Sequence, residues 1–219
     1  MRYSYLIPEW FFGFDIGMEI LFAIIAFSVA LIAFKINDVT KERKIKLFGI
    51  AFLLISLSYV VLGALNFWFV NLASEGFRMV DINEVQLIGV ISLYLFMILF
   101  VGGLVTIAYI TCDACKGKTY YLIFGLSLMV IAASLYKLVT FRILSTFLFS
   151  FIAYHYFEEF LKNKNRNAFW TLIAFALLFM GSVNFILSPV YYWFYIIGHL
   201  FELSAYLIIL AILIRSVKK

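Results

Sequence analysis

The chain is a succession of apolar runs, each long enough to cross a bilayer and each closed by a short polar break. A membrane helix needs about 20 apolar residues to cross the ~30 Å hydrocarbon layer. Seven such runs fit into 219 residues, at approximately 10–36, 47–73, 85–112, 119–136, 140–161, 168–187 and 190–214. The stretch between Thr119 and Leu161 is too long for one span, so it is broken near Lys137. Ser188–Pro189 makes the corner before the last run, where proline lacks the N–H that would continue a helix. Composition agrees: 66% of residues are hydrophobic and only 13% charged, against about 25% charged in soluble domains. A chain this small cannot hide such an excess from water. Soluble enzymes, disordered chains and disulfide-stapled modules are excluded. The expected fold is an all-α membrane protein, one seven-transmembrane helix bundle forming a single domain over residues 1–219.

Charge sets the expected topology. Cytoplasmic loops collect Lys and Arg. With seven spans alternating sides, 13 of the 17 basic residues share one side. They lie in Lys35–Lys46, at Lys116 and Lys118, in Lys162–Arg166 and in Arg215–Lys219. Arg2, Arg78, Lys137 and Arg142 take the other. This predicts the N-terminus outside and the C-terminus in the cytoplasm, in a multi-pass protein of the cell (plasma) membrane. The net charge of +5 then reflects loops near anionic lipid, and nucleic acid is not expected as a partner. The start does not read as a cleavable signal: Glu9 and Asp15 follow a basic end of Arg2 alone, and the apolar run is too long. No internal repeat is visible, which weighs against an inverted-repeat transporter.

Ionisable groups inside a span are costly and usually face a bundle interior or a wet cavity. Asp15 and Glu19 are four residues apart, and His199 and Glu202 three apart, so each pair shares a helical face. Tyr192, Tyr195 and Tyr206 extend the His199–Glu202 stripe. Asn66 and Asn184 add amides, and Lys137 and Arg142 a basic pair. All lie at or outside the predicted midplane. Together they predict an outward-facing polar cavity for a small-molecule or lipid-like ligand, lined by Asp15, Glu19, Asn66, Lys137, Arg142, Asn184, Tyr195, His199 and Glu202. Simpler roles stand beside this one: tyrosines and tryptophans near span ends are commonly interfacial anchors, and Lys137 and Arg142 fit a wet corner. Glu202, about three helical turns below Tyr191, is hardest to assign to an interface.

Other motifs carry less. Cys112 and Cys115 form a C-x-x-C that supplies half of a zinc site, with His155 a remote third candidate; two ordinary cysteines at a helix end is the simpler reading. His155 and His199 lie at different depths, which disfavours a shared haem, and no cofactor is expected. No hydrolase, protease or phosphate-loop string occurs. Span seven has no lysine for a retinal Schiff base, and two histidines are too few for a three-histidine zinc site. Gly102-Gly103 and Gly181 are expected at close helix contacts.

The segment from Trp193 to Ala211, with His199, Leu200, Phe201 and Tyr206, resembles the final helix of prokaryotic membrane-associated sensor domains of the MASE3 type. Glu202 stands where that pattern more often has a basic residue. The resemblance implies a sensory input domain that signals to a cytoplasmic protein or to an output domain carried elsewhere. A sensor or receptor-like module, more a binding protein than an enzyme, is therefore the expected function. A small proton-coupled transporter is the main alternative, and a haem, quinone or lipid-modifying membrane enzyme the third.

Overall fold

The computed structural model describes residues 9–74, 82–112 and 117–217. All of their regular structure is helical, in seven helices: α1 (Glu9–Thr40), α2 (Arg43–Ser74), α3 (Ile82–Thr111), α4 (Gly117–Ala133), α5 (Lys137–Asn163), α6 (Arg166–Leu187) and α7 (Tyr192–Val217). In lipid a helix satisfies its backbone internally, so the apolar runs have no competing solution. Six helices are long and apolar enough to cross a membrane, which makes this a multi-pass membrane bundle; α4 is the exception. Its 17 residues rise about 25 Å, short of the hydrocarbon thickness, and it differs in this from the other six expected spans. Ser134–Tyr136 break the helix, and α5 starts at Lys137, where the charge pattern divides the long apolar stretch.

The six long helices close a ring in the order α1–α2–α3–α5–α6–α7, with α7 returning to α1. α4 packs outside the ring against α3 and α5. The ring interior is aromatic: Phe22, Phe52, Phe141, Phe175 and Tyr206 are fully buried. Phe96, Phe100, Phe141 and Phe149 meet in a run of edge-on and tilted contacts between α3 and α5, the geometry that ring quadrupoles favour. The outer surface is equally apolar. On α1, Ile20, Ile24, Phe27 and Leu31 form an exposed stripe, as expected for helices that meet lipid on one side and protein on the other.

Small residues set the closest approaches. A Cβ on Gly103 would lie 2.7 Å from the carbonyl oxygen of Ala51, so α3 and α2 touch there backbone to backbone. A Cβ on Gly181 would come within 3.1 Å of the Gly198 carbonyl, joining α6 to α7. Two turns at one end of the bundle are tight. Lys41 between α1 and α2, and Lys164 between α5 and α6, both adopt positive φ (56° and 47°). Asn165 then caps α6 by accepting the Asn167 N–H at 3.0 Å. This end, rich in lysine and arginine, is called the basic end below. The far end carries the α6–α7 corner and the start of α5.

Candidate functional site

Three elements bring the costly polar groups together in the half of the ring toward the far end. Helix α1 supplies Asp15 and Glu19, one turn apart. Helix α7 supplies Tyr195, His199, Glu202 and Tyr206 along one inward face. Helix α2 supplies Tyr59 and Asn66, seven residues apart and so on a common face. Glu19, His199 and Glu202 are 3%, 6% and 6% exposed, so none is solvated by bulk water.

The groups form a continuous polar seam. The Tyr195 hydroxyl donates to the Asp15 carboxylate, 2.8 Å from each oxygen. His199 Nε2 lies 3.2 Å from Asp15 Oδ1, and its Nδ1 lies 3.9 Å from Glu202 Oε2. Glu202 Oε1 accepts a short hydrogen bond from the Tyr59 hydroxyl, which sits 3.2 Å from that of Tyr206. Beside this chain, Asn66 donates to Glu19 Oε1 at 2.7 Å. Aromatic rings fix the imidazole: Phe22 stacks on His199 at 5.7 Å, and Phe185 and Tyr195 meet it edge-on at 4.9 and 4.6 Å. Asp15 and Glu202 thus face opposite nitrogens of a ring held in one orientation.

Arg142 supplies the positive charge. Its guanidinium carbon lies 4.3 Å from the Phe185 ring centre and 5.6 Å from that of Phe141. From there the charge acts on Glu19, Tyr195 and Glu202. Arginine suits this place because its flat cation stacks on aromatic faces and sheds water more readily than an ammonium.

Among the expected site residues, Asp15, Tyr195, His199 and Glu202 meet directly, Glu19 and Asn66 join them on α1 and α2, and Arg142 turns inward. Two do not take part. Asn184 donates to the Met180 carbonyl of its own helix at 2.8 Å. Lys137 donates to the Ser134 carbonyl at 3.1 Å and lies over the Tyr94 ring, at the α4–α5 corner. Tyr59 completes the seam, although the sequence offers only its spacing from Asn66 as a signal. Beside Glu202 the described residues enclose a cavity of about 10 Å³, bounded by Phe100, Arg142, Ser145, Phe149, Leu178, Gly181, Ser182 and Phe185. The acids of the seam are engaged by tyrosine, imidazole and amide partners.

A wide opening lies at the basic end. A vestibule of about 800 Å³ is lined by all six ring helices. Its floor is Phe48, Ile110, Tyr156 and Leu213, and its walls carry Glu42, Lys44, His155, Glu158, Glu159 and Lys162. His155 belongs here, against Tyr156. Cys112 is disulfide-bonded, which corrects the expectation of an ordinary thiol or metal ligand, because a sulfur in a disulfide is not a thiolate; Cys115 lies outside the described residues. No group of three or more potential metal ligands occurs among the described residues.

Seam and vestibule are separated by an apolar layer. Between the two levels each ring helix contributes a buried apolar side chain: Val29, Phe52, Leu104, Ile152, Phe175 and Ile209. The nearby hydroxyls of Ser28 and Thr106 bond to carbonyls of their own helices. Comparison with known proteins adds no relative: no protein family, curated protein or solved structure matches the chain.

Proposed function

We propose that the chain is a membrane-embedded sensory module whose input is a change of charge in the Asp15–Tyr195–His199–Glu202–Tyr59 seam and whose output is a repacking of the basic-end vestibule. The seam itself is the observation that carries this. It ties α1, α2 and α7 through carboxyl, phenol and imidazole groups, each of a kind that can hold or release a proton. A protein with two packings of similar energy responds to whatever binds one of them better. Moving a proton onto the seam alters what Tyr59, His199 and Arg142 face, and so alters the preferred packing of α7 against α1 and α2. The space beside Glu202 favours a proton over a bulkier guest. The vestibule, lined by every ring helix and set among lysines and arginines, is where a cytoplasmic signalling partner would read the change, with the cell membrane as the setting. The resemblance of the α7 segment to sensor domains agrees with this role.

A small proton-coupled transporter is the second reading, favoured by the vestibule lying on the axis of the same ring as the seam. The apolar layer opposes it, since a proton path needs polar partners or water at every step.

One experiment separates the two. The chain carries spin labels at Lys162 on α5 and Ser216 on α7, both lining the vestibule, and is reconstituted in nanodiscs and in vesicles. The sensory reading expects the label-to-label distance to shift between about pH 8 and pH 5, expects the shift to vanish in Glu202→Gln and His199→Gln, and expects no protein-dependent proton flux in vesicles. Flux abolished by Glu202→Gln establishes the transporter. Distances that ignore pH in the wild-type chain remove the sensory reading.

A further inference from the structure

The α5 side of the seam holds a group that the seam does not use. Ser145, 2% exposed, has a buried hydroxyl with no hydrogen-bond partner, and it lines the small cavity beside Glu202 together with Arg142 and Ser182. An unmade hydrogen bond in a dry interior costs about 1–3 kcal/mol, so such a group calls for an explanation. The neighbouring hydroxyls do not supply one. Thr146 and Ser182 lie 2.6 Å apart, Thr146 donates to the Arg142 carbonyl at 2.8 Å, and Ser182 lies 3.4 Å from the same carbonyl. The cavity measures about 10 Å³, which is the room one water needs, and a buried water requires two to four polar partners. Arg142, Ser145, Ser182 and Glu202 offer that many, with both donors and acceptors among them.

We infer that this cavity is a binding site for one water, which takes a hydrogen bond from Arg142 or Ser145 and donates one to the Glu202 carboxylate. The water closes the seam across the ring. Without it, Glu202 is tied to α1, α2 and α7 only; with it, the acid is also tied to α5 and, through Ser182, to α6. Arg142 then acts on Glu202 through a bridging molecule as well as by its field, and α5 becomes the element that feels the state of the acid. Glu202 is faced by Tyr59 from α2, by His199 and Tyr206 on its own helix, by Glu19 from α1 and by Arg142 from α5. The water is the remaining contact on the α5 side. It stands on the cavity and its lining alone, so it holds whether or not the module is sensory.

The sign of one stability change tests the site. The full chain in nanodiscs is melted as wild type and as Ser145→Ala. A hydroxyl bonded to a bound water loses that bond in the variant, and the melting midpoint falls by about 2–4 °C for a chain of this size. A hydroxyl buried without any partner is better removed, so a rise in the midpoint overturns the proposal, and an unchanged midpoint overturns it too. A second measurement needs no variant. Infrared spectra of wild-type protein hydrated with ¹⁶O or ¹⁸O water are expected to show an isotope-sensitive O–H band of an isolated internal water, which disappears in Ser145→Val, where the added methyl groups fill the space. Absence of that band in the wild type, or its survival in Ser145→Val, places no water here.

Discussion

The two ends of the ring handle charge in opposite ways. Toward the far end, acids, an imidazole and a guanidinium are packed among aromatic rings with almost no free space. At the basic end, a comparable set of acids, lysines and a histidine lines a vestibule of about 800 Å³ and is partly or fully exposed. The residue types match, and the surroundings differ. A carboxylate in a dry interior depends on each partner it has, because the cost of an unpaired charge rises as the local dielectric falls. A carboxylate at a wet mouth depends on none. Functional weight therefore belongs to the tight end, and adaptability to the open one.

Replacing Glu202 tests this most severely. Glu202→Ala removes the acceptor of Tyr59, the neighbour of His199 and the nearest counter-charge on the α7 side for Arg142. A loss of about 3–5 kcal/mol is expected, the usual penalty for stranding a buried charge, read from reversible unfolding in mixed micelles. Glu202→Gln keeps an oxygen for Tyr59, so the expected cost drops to about 1–2 kcal/mol. If alanine at this position costs no more than alanine at Glu158, the contrast between the two ends collapses.

The middle of the ring comes next. Gly103→Ala puts a methyl group 2.7 Å from the Ala51 carbonyl, against backbone that cannot rotate away. The expected cost is about 1–3 kcal/mol, typical of overpacking. Its neighbour is the control: a Cβ on Gly102 meets only Phe124 and Leu54, at 3.5 and 3.7 Å, ordinary contact distances, so Gly102→Ala is expected to change stability by less than about 0.5 kcal/mol. Equal effects at the two positions would show that α2 and α3 are free to move apart.

These particular residues also show how far the sequence could be read. Apolar runs and their polar breaks locate the helices, including the break at Lys137, because a bilayer leaves helices as the one open-chain way to satisfy the backbone. The stripe of Tyr195, His199, Glu202 and Tyr206 was legible for a similar reason: spacing along one helix fixes a shared face. Contacts between helices were not. Tyr59 reaches Glu202 across 143 positions of chain, and nothing in the local pattern around either residue requires them to meet. The inward turn of Arg142 depends on how α5 is rotated in the ring, and the idleness of Asn184 on a carbonyl of its own helix that competes for its amide. The place of the cavity could not be read either. The buried polar groups bond to one another, and the vestibule lies at the opposite, basic end, lined by all six ring helices. Helix α4 begins two residues before the expected run at 119 and ends at Ala133, three residues before the expected 136, because Ser134–Tyr136 leave the helix; that end could not be read from a stretch that stays largely apolar through Leu135.

The smallest expected effect lies at the vestibule wall, and it is the sharper half of the comparison because a null result has to be shown against a plausible ion pair. Glu158 and Lys162 sit one turn apart on α5 with their charges 3.8 Å apart, and their side chains are 43% and 74% exposed. Tyr154 adds a hydrogen bond to Glu158 at 3.0 Å, so on a contact diagram this acid looks as well partnered as Glu202. Exposure decides otherwise: water solvates each group almost as well as its partner does, and holding two long side chains in place costs entropy. Glu158→Ala is expected to change stability by no more than about 0.5 kcal/mol, with a further decrease in raised salt, measured by the same unfolding assay used for Glu202→Ala. A loss above about 1 kcal/mol that persists in high salt lies outside what an exposed pair supplies. It would mean that the vestibule wall is held as rigidly as the seam, and that the open end is no more free to repack than the closed one.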